Sequence, residues 1–342
     1  MKPKIITKIL ILLLVTIALA LGGCQPAALH TEEQFKLHTL CQITTFGKLE
    51  DKVYQEVWDA MDTIDNTMSM SLAKSEIKAI NDAAGVRPVT VSDDVFYVIE
   101  TALKYSDRSD KFDISIGPIV SLWGIGSDNP KVPDASVLSD KMAFVNYEKI
   151  QIDKEAKSVF LLDKEMAIDV GAVAKGFAAD RAKEILEKNH VKRAIVNFGG
   201  NILTIGSKQN NKPWQIGVQH PDQSRGAYFG IIPLDDKTIV TSGTYERYFE
   251  ANGKRYHHIL DTKTGYPVDN GLLSVSIITD SSINADVLST LIFAEGLERG
   301  LAFIESLEDV EAIFVTSENR VYLSSGLKNQ FQLADDAFTL MP

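Results

Sequence analysis

Between Arg193 and Asp280 the chain carries one strand-like run after another: RAIVNFGGNILTIG, WQIGVQ, YFGIIPL, TIVTSG, YERYFE, RYHHIL and LSVSIITD. No helical run separates them. This block excludes a strict alternation of strand and helix, and with it an all-parallel sheet. Helical patterns sit on either side of it. The predicted class is therefore α+β, with antiparallel sheets and helices packed on them. In KVYQEVWDAMDTIDNTM, Val53, Val57, Met61, Ile64 and Met68 recur at helical spacing. DDVFYVIETALKYSD repeats the pattern, with Ser92 placed to cap it. VAKGFAADRAKEILEKN is a third helix, and a long one is expected from about Asn284 to Leu307. FKLHTLCQITTFG reads as one half-buried strand with Phe35, Leu37, Thr39, Cys41 and Ile43 on one face. KIQID with SVFLL, and EAIFVTSENRVYLSSG, read as hairpins, and MAIDVG as a strand running into a loop. No linker divides the body.

The first residues stand apart from this body. MKPKIITKILILLLVTIALALGGC has three lysines, an apolar run and small residues before Cys24, the layout of an export signal. LGGC resembles a bacterial lipobox, in which the Cys becomes the lipid-bearing first residue. Residues 1–23 are expected to be removed as a signal peptide, 24–34 to form anchor and tether, and 35–342 the folded body. The protein is then expected at the membrane, on its extracytoplasmic side. A net charge of −11 makes nucleic acid a poor partner. Cys41 would have no partner for an internal disulfide and reads as a small core residue.

Five segments could carry chemistry. AIDVGAVAKGFAAD places Asp169 before a Gly turn and Lys175 in the first turn of a helix. A Lys there opposes the helix dipole, unless an anion lies between it and the free N–H groups of the helix start. In SSINADVLSTLIF, Asp286 and Thr290 are four apart and share a helix face. Carboxylate and hydroxyl are hard oxygen ligands, suited to Mg²⁺ or Ca²⁺. YHHILD holds His257 and His258. Strand neighbours face opposite ways, so at most one serves a site, and nothing nearby completes a zinc cluster. FDISIGPIVSLWGIG carries Trp123 on a Gly-punctuated stretch, either a core aromatic or the wall of a flat ring. In VNFGGNI, the pair Gly199-Gly200 suggests a bulge or a close backbone approach.

DISIGPIVSLWGIG, IDVGAVAKGFAAD, VNFGGNI, TSGTYERYFEANGKRYHHILDTKTGYPV and ITDSSINADVLST stand in the order and spacing of the ApbE family, the bacterial FAD:protein FMN transferases. The resemblance runs from about Phe35 to the C-terminus. It implies two related halves around one flavin site. It implies a Mg²⁺-dependent enzyme that cleaves FAD, moves FMN onto a threonine hydroxyl of an acceptor flavoprotein and releases AMP. By the same resemblance Asp286, Thr290 and the carbonyl of Ala172 match metal ligands. Asp169 and Lys175 match contacts to the flavin nucleotide, and Leu260, Trp123, Gly124 and Ile125 match positions lining the flavin. His258, which begins an H-x-x-D pattern ending at Asp261, matches the base.

Two departures bear on function. Leu37, His38 and Thr39 stand where members often carry a Met-Gly-Thr-like start, so a backbone contact at Leu37 is expected with different packing. Ser71 stands where many members carry a Tyr that would stack on the ligand, and stacking contributes about 1 kcal/mol. Hydrolysis of FAD to FMN and AMP is therefore an alternative to transfer. An FAD-binding lipoprotein without turnover is another.

Overall fold

The computed structural model describes residues 28–342. The expected signal peptide, Cys24 and the start of the tether lie outside the described residues. The body is built on one nine-stranded sheet. Its strands are β1 (Leu29–Lys36), β2 (Thr39–Phe46), β3 (Ala194–Phe198), β4 (Asn201–Ile205), β5 (Thr238–Gly243), β6 (Leu272–Thr279), β7 (Glu311–Thr316), β8 (Arg320–Leu323) and β9 (Thr339–Leu340). They lie side by side in chain order. Every pairing is antiparallel except β8 with β9. The expected α+β class with antiparallel sheets is observed.

Strand alternation sends successive side chains to opposite faces, and here each face has its own core. Val240, Ile277 and Phe314 pack with the helices, whereas Ile239, Ile278, Ile313 and Val315 pack with a second sheet. That sheet joins strands Trp214–Gln219, Tyr228–Leu234 and Gln332–Leu333. The helices are α1 (Asp51–Met68), α2 (Glu76–Asp82), α3 (Asp93–Ser106), α4 (Gly117–Trp123), α5 (Ala135–Met142), α6 (Ala174–Lys188), α7 (Ser282–Glu295) and α8 (Leu297–Glu305). Ser92 caps α3 as expected, its side chain accepting from the Val95 N–H. None of the described helices is long and apolar enough to cross a membrane.

Helix α7 is apolar on every side: Ile283, Ala285, Val287, Leu288, Leu291, Ile292 and Phe293 are all buried. Such a helix belongs inside a protein, and it lies between the sheet and α6. Asp286, 3% exposed, is therefore a carboxylate on the most enclosed helix of the body. The contact with α6 is very close at Gly176. A Cβ there would meet the Ser282 carbonyl oxygen at 2.2 Å and the Asp286 Cβ at 2.7 Å.

The structure differs from the sequence expectations in five places. FKLHTLCQITTFG is a hairpin, turning at Leu37 and His38 with φ of 52° and 57°. The turn breaks the alternation: Leu37 enters the core while Phe35 is 73% exposed. Residues 29–34, assigned to the tether, are part of β1. MAIDVG forms no strand, only an isolated bridge from Ala167 to Ile116. The long C-terminal helix is two, because Gly296 leaves helical geometry at φ 83° and ψ 176°. Asn270 closes the first of them by donating to the Phe293 carbonyl. The Gly199-Gly200 pair is the turn of the β3–β4 hairpin, with φ of 64° and 99°.

Candidate active site

A cleft of about 300 Å³ opens where α6, α7, the end of β5, the β1–β2 turn and the β3–β4 turn converge. The hairpin of strands Tyr248–Ala251 and Lys254–His257 lies between β5 and β6 in sequence and carries the residues that flank it. Ile114, Ile116, Val120 and Ile125 supply apolar wall, and Phe112 is the one Phe, Tyr or Trp among the described lining residues.

His258 follows directly after the hairpin. Its backbone N–H and its Nδ1 both lie within hydrogen-bond distance of the Arg247 carbonyl oxygen, at 3.1 and 3.2 Å. A carbonyl only accepts, so Nδ1 carries the proton and Nε2 is left as an acceptor. Burial lowers the imidazole pKa from 6.5 to about 3, with further lowering from the charges of Arg247 and Lys175. The ring is neutral, with Nε2 available as a hydrogen-bond acceptor.

His257 faces the other way. Its Nε2 donates to the Val268 carbonyl at 2.9 Å, and Nδ1 accepts from the Ile259 N–H at 3.3 Å. Both ring nitrogens are used internally, and the ring packs edge-on against Phe293. Asp261 does not touch His258. Its carboxylate accepts from Lys111 Nζ at 2.7 Å and from the N–H groups of Lys263 and Thr264 at 2.9 Å. It organises the TKTG turn and anchors Lys111 at the cleft.

The opposite wall comes from α6 and α7. Asp286 accepts from the Gly176 N–H through Oδ2 at 2.9 Å. Among the described residues it has no ion-pair partner, although it is nearly buried. Thr290 lies one turn on, its hydroxyl 3.4 Å from that of Ser242. A nearly buried carboxylate without a cation beside it, next to a hydroxyl, fits a hard divalent cation. No cluster of three or more His, Cys, Asp or Glu that could hold a metal occurs among the described residues. A cation here would rest on one carboxylate with neutral oxygens, as Mg²⁺ does when a substrate supplies the rest.

Lys175 also has no carboxylate partner among the described residues; its Nζ reaches the side-chain Oδ1 of Asn201 at 3.4 Å. The helix start contributes less than its position suggests. The Ala174 N–H is bonded to the Val170 carbonyl, and the Gly176 N–H to Asp286. Positive potential here comes from side chains. Burial pushes the Asp169 carboxyl above the usual carboxylate range, against a hydrogen bond from the Gly171 N–H and the charge of Arg247.

Of the residues nominated from sequence, Ile125, Asp169, Ala172, Lys175, His258, Leu260, Asp286 and Thr290 share this one cleft. Four others lie off its wall. The Leu37 side chain is buried in the main core, beside the wall residues His38 and Thr39. Ser71 is exposed on the loop after α1, its hydroxyl 3.2 Å from that of Ser69. Trp123 is fully buried, donates from Nε1 to the Gly265 carbonyl at 2.7 Å, and packs against Phe249, Tyr256 and Tyr266. With no free surface it supports the wall from behind. Gly124 ends α4 in left-handed geometry at φ 59°. Sequence reasoning missed Arg225, Arg247, Lys111, Thr241 and Ser242 as wall residues. Arg225 donates to the Thr39 hydroxyl at 3.0 Å and pairs with Glu246 at 3.3 Å across the cleft mouth.

Comparison with known proteins agrees on one family. The ApbE family profile matches residues 37–314. The chain is 38% identical to an FAD:protein FMN transferase of Klebsiella pneumoniae over 293 residues, 85% of this chain and 91% of the relative. It is 30% identical to the FAD:protein FMN transferase of Treponema pallidum, with 96% of each chain covered. Among solved structures, the ApbE protein of Thermotoga maritima superposes with a TM-score of 0.81 at 29% identity, covering 89% of this chain and 99% of that one. The flavin transferase ApbE of Vibrio cholerae gives 0.80 at 26% identity, covering 89% and 100%.

Proposed function

Because the chain belongs to the ApbE family, we infer that it is an FAD:protein FMN transferase, and we propose that it uses Mg²⁺ and a threonine hydroxyl of an acceptor flavoprotein. The observation that carries the chemistry is His258, its Nδ1 held by the Arg247 carbonyl and its Nε2 left as an acceptor, in the same cleft as Asp286 and Lys175, neither of which has an ion-pair partner among the described residues.

In this reading the acceptor oxygen forms a bond to the FMN phosphorus. The bond from that phosphorus to the bridging oxygen breaks, and AMP leaves. A threonine hydroxyl is a weak nucleophile, and His258 Nε2 accepts its proton. The Arg247 carbonyl holds the imidazole in the required tautomer. Lys175 and Arg247 set positive charge against the diphosphate, where charge neutralisation and alignment do most of the work. Asp286, Thr290 and the Ala172 carbonyl would hold Mg²⁺, which supplies Lewis-acid neutralisation of phosphate charge when bound. Ile125, Leu260 and Phe112 offer apolar surface to the flavin ring.

A second reading, hydrolysis of FAD, is favoured by one observation. Phe112 is the only Phe, Tyr or Trp among the described wall residues, and Ser71 is exposed away from the wall. In this reading no aromatic at Ser71 covers the ligand, and water takes the place of the acceptor hydroxyl. We further propose that the transferase body starts with β1 at Leu29, that residues 1–23 direct export, and that Cys24 bears the lipid anchor, holding the enzyme to the membrane on its extracytoplasmic side near its acceptor. The support is the leader sequence itself.

One reaction tests both readings. Protein, FAD, MgCl₂ and a threonine-bearing acceptor from the same organism are combined, and AMP release is followed with acceptor flavin fluorescence. Equal amounts of AMP and labelled acceptor support transfer. AMP without labelling moves the assignment to hydrolysis, and neither product overturns it.

A further inference from the structure

Asn201 is the first residue after the Gly199-Gly200 turn, at the start of β4, and is fully buried. Its side chain raises a question that the cleft alone does not answer. The amide oxygen faces Lys175 Nζ at 3.4 Å, while the amide nitrogen is buried with no hydrogen-bond partner among the described residues. Turning the amide over would set its NH₂ against an ammonium, and both groups only donate. The orientation is therefore fixed by Lys175. Leaving a buried N–H donor unpartnered costs about 1–3 kcal/mol. A half-buried lysine is commonly held by a carboxylate, and here the anchor is neutral.

We propose that Asn201 is a positioning residue that holds the Lys175 ammonium in the cleft through a neutral carbonyl, so that its full charge remains available to an anionic ligand of the diphosphate class. Three features support this arrangement. Lys175 has no ion-pair partner among the described residues, although Asp169 and Asp286 line the same cleft. The turn that delivers Asn201 is closely fitted, since a Cβ at Gly199 would meet the Thr39 hydroxyl oxygen at 2.4 Å. β4 is held on its other edge by pairing of Asn201 with Val240 of β5. The amide thus sits on a framework that cannot shift without moving the sheet. A carboxylate at this position would pair with Lys175 and cancel the charge, and an alanine would leave the long Lys side chain free to move.

The identity of the anion as FAD rests on the function proposed above; the positioning role does not. The test is a double-mutant cycle on the full chain: wild type, Asn201→Ala, Lys175→Ala and the double variant, with Asn201→Asp as an isosteric charge probe. Dissociation constants are measured by calorimetry for FAD, ADP, inorganic pyrophosphate and riboflavin. Asn201→Ala is expected to weaken FAD, ADP and pyrophosphate by about three- to tenfold, a coupling of the size seen between residues in one network, and to have no further effect once Lys175 is gone. Asn201→Asp should weaken the same ligands by about tenfold or more and flatten their salt dependence. Riboflavin, which has no phosphate, should bind alike to wild type and to both Asn201 variants, whereas a general loosening of the fold would weaken it too. Equal pyrophosphate affinities across the set overturn the proposal. So does an Asn201→Ala loss that persists undiminished in the Lys175→Ala background. If pyrophosphate binds with the expected pattern and FAD does not bind at all, the FAD reading falls and the positioning role stands.

Discussion

The carbonyl oxygen of Arg247 receives two hydrogen bonds from His258, from its backbone N–H at 3.1 Å and from its Nδ1 at 3.2 Å. One oxygen thus sets both the place of the imidazole and its tautomer. His257, one residue earlier, has both ring nitrogens committed to backbone groups. The two histidines should separate on mutation. His258→Ala is expected to slow transfer by about 10²–10⁴-fold, the usual worth of a positioned base, with FAD affinity changed only a few-fold. His257→Ala should instead lower stability by about 1–3 kcal/mol through lost buried hydrogen bonds, with activity per folded molecule largely kept. Single-turnover rates and urea unfolding of both variants decide this; a slow, fully stable His257→Ala would reverse the assignment.

The His258 pKa, lowered from 6.5 to about 3, fixes the direction of the pH dependence. The free enzyme keeps its base unprotonated throughout the neutral range. A plot of kcat/KM against pH should therefore show no acid limb with an apparent pKa near 6.5. Stability follows the same shift. Between about 6.5 and 3 the unfolded chain takes up a proton that the folded imidazole refuses, so this contribution is complete above 6.5 and is lost as pH falls towards 3. His258→Gln should remove that share of the acid destabilisation. Melting curves of the two proteins from pH 7 to pH 4.5 should converge as the pH falls, and parallel curves would show that the imidazole is not held neutral.

What the sequence disclosed, and what it withheld, follows from how local each signal is. The Ser92 cap, the α1 and α3 stripes and the β7–β8 hairpin each arise within a few residues, and all were readable. Asp286 and Thr290 were readable as a pair because helical geometry is local. The β1–β2 turn was not, since Leu37 and His38 lack the usual turn chemistry and hold positive φ only inside the tertiary structure. The link from Lys111 to Asp261 spans 150 residues, and no spacing rule reaches that far. Arg247 acts on His258 through its backbone carbonyl, a contact for which residue identity carries no signal. Trp123 was readable as an aromatic, but whether it faced a ligand or the core depended on the hairpin that covers it.

Asp286 should be separable into two roles. Its Oδ2 accepts from the Gly176 N–H at the helix contact, and the carboxylate has no ion-pair partner among the described residues. Asp286→Asn keeps the shape and removes the charge. This variant is expected to lose at least about tenfold in Mg²⁺ affinity, since hard cations depend on ligand charge, and to lose Mg²⁺-dependent turnover with it. Its melting temperature without metal should stay close to that of the wild type. Calorimetric titration with MgCl₂ beside a thermal shift assay provides the check. Unchanged Mg²⁺ affinity would remove Asp286 from the cation site.

Gly176 ties the fold to the cleft. It lies where α6 meets α7, one residue from Lys175, and its N–H is the donor to Asp286. A Cβ would fall 2.2 Å from the Ser282 carbonyl oxygen and 2.7 Å from the Asp286 Cβ, so one helix must move. Both obstacles belong to a helix most of whose residues are buried and cannot give way cheaply. Gly176→Ala is therefore expected to destabilise the protein by about 1–3 kcal/mol, the usual cost of overpacking, despite alanine's higher helix propensity. Any shift between α6 and α7 carries Lys175 away from Asp286, so the folded fraction should also turn over more slowly. Ala178, a buried neighbour on the same helix, supplies the contrast. Ala178→Gly should cost roughly 1 kcal/mol through helix propensity, with little loss of rate per folded molecule. Urea unfolding and initial rates of the two variants at matched folded fraction test the distinction. If Gly176→Ala proved as stable and as fast as the wild type, the α6–α7 contact would not be what sets the spacing of the cleft.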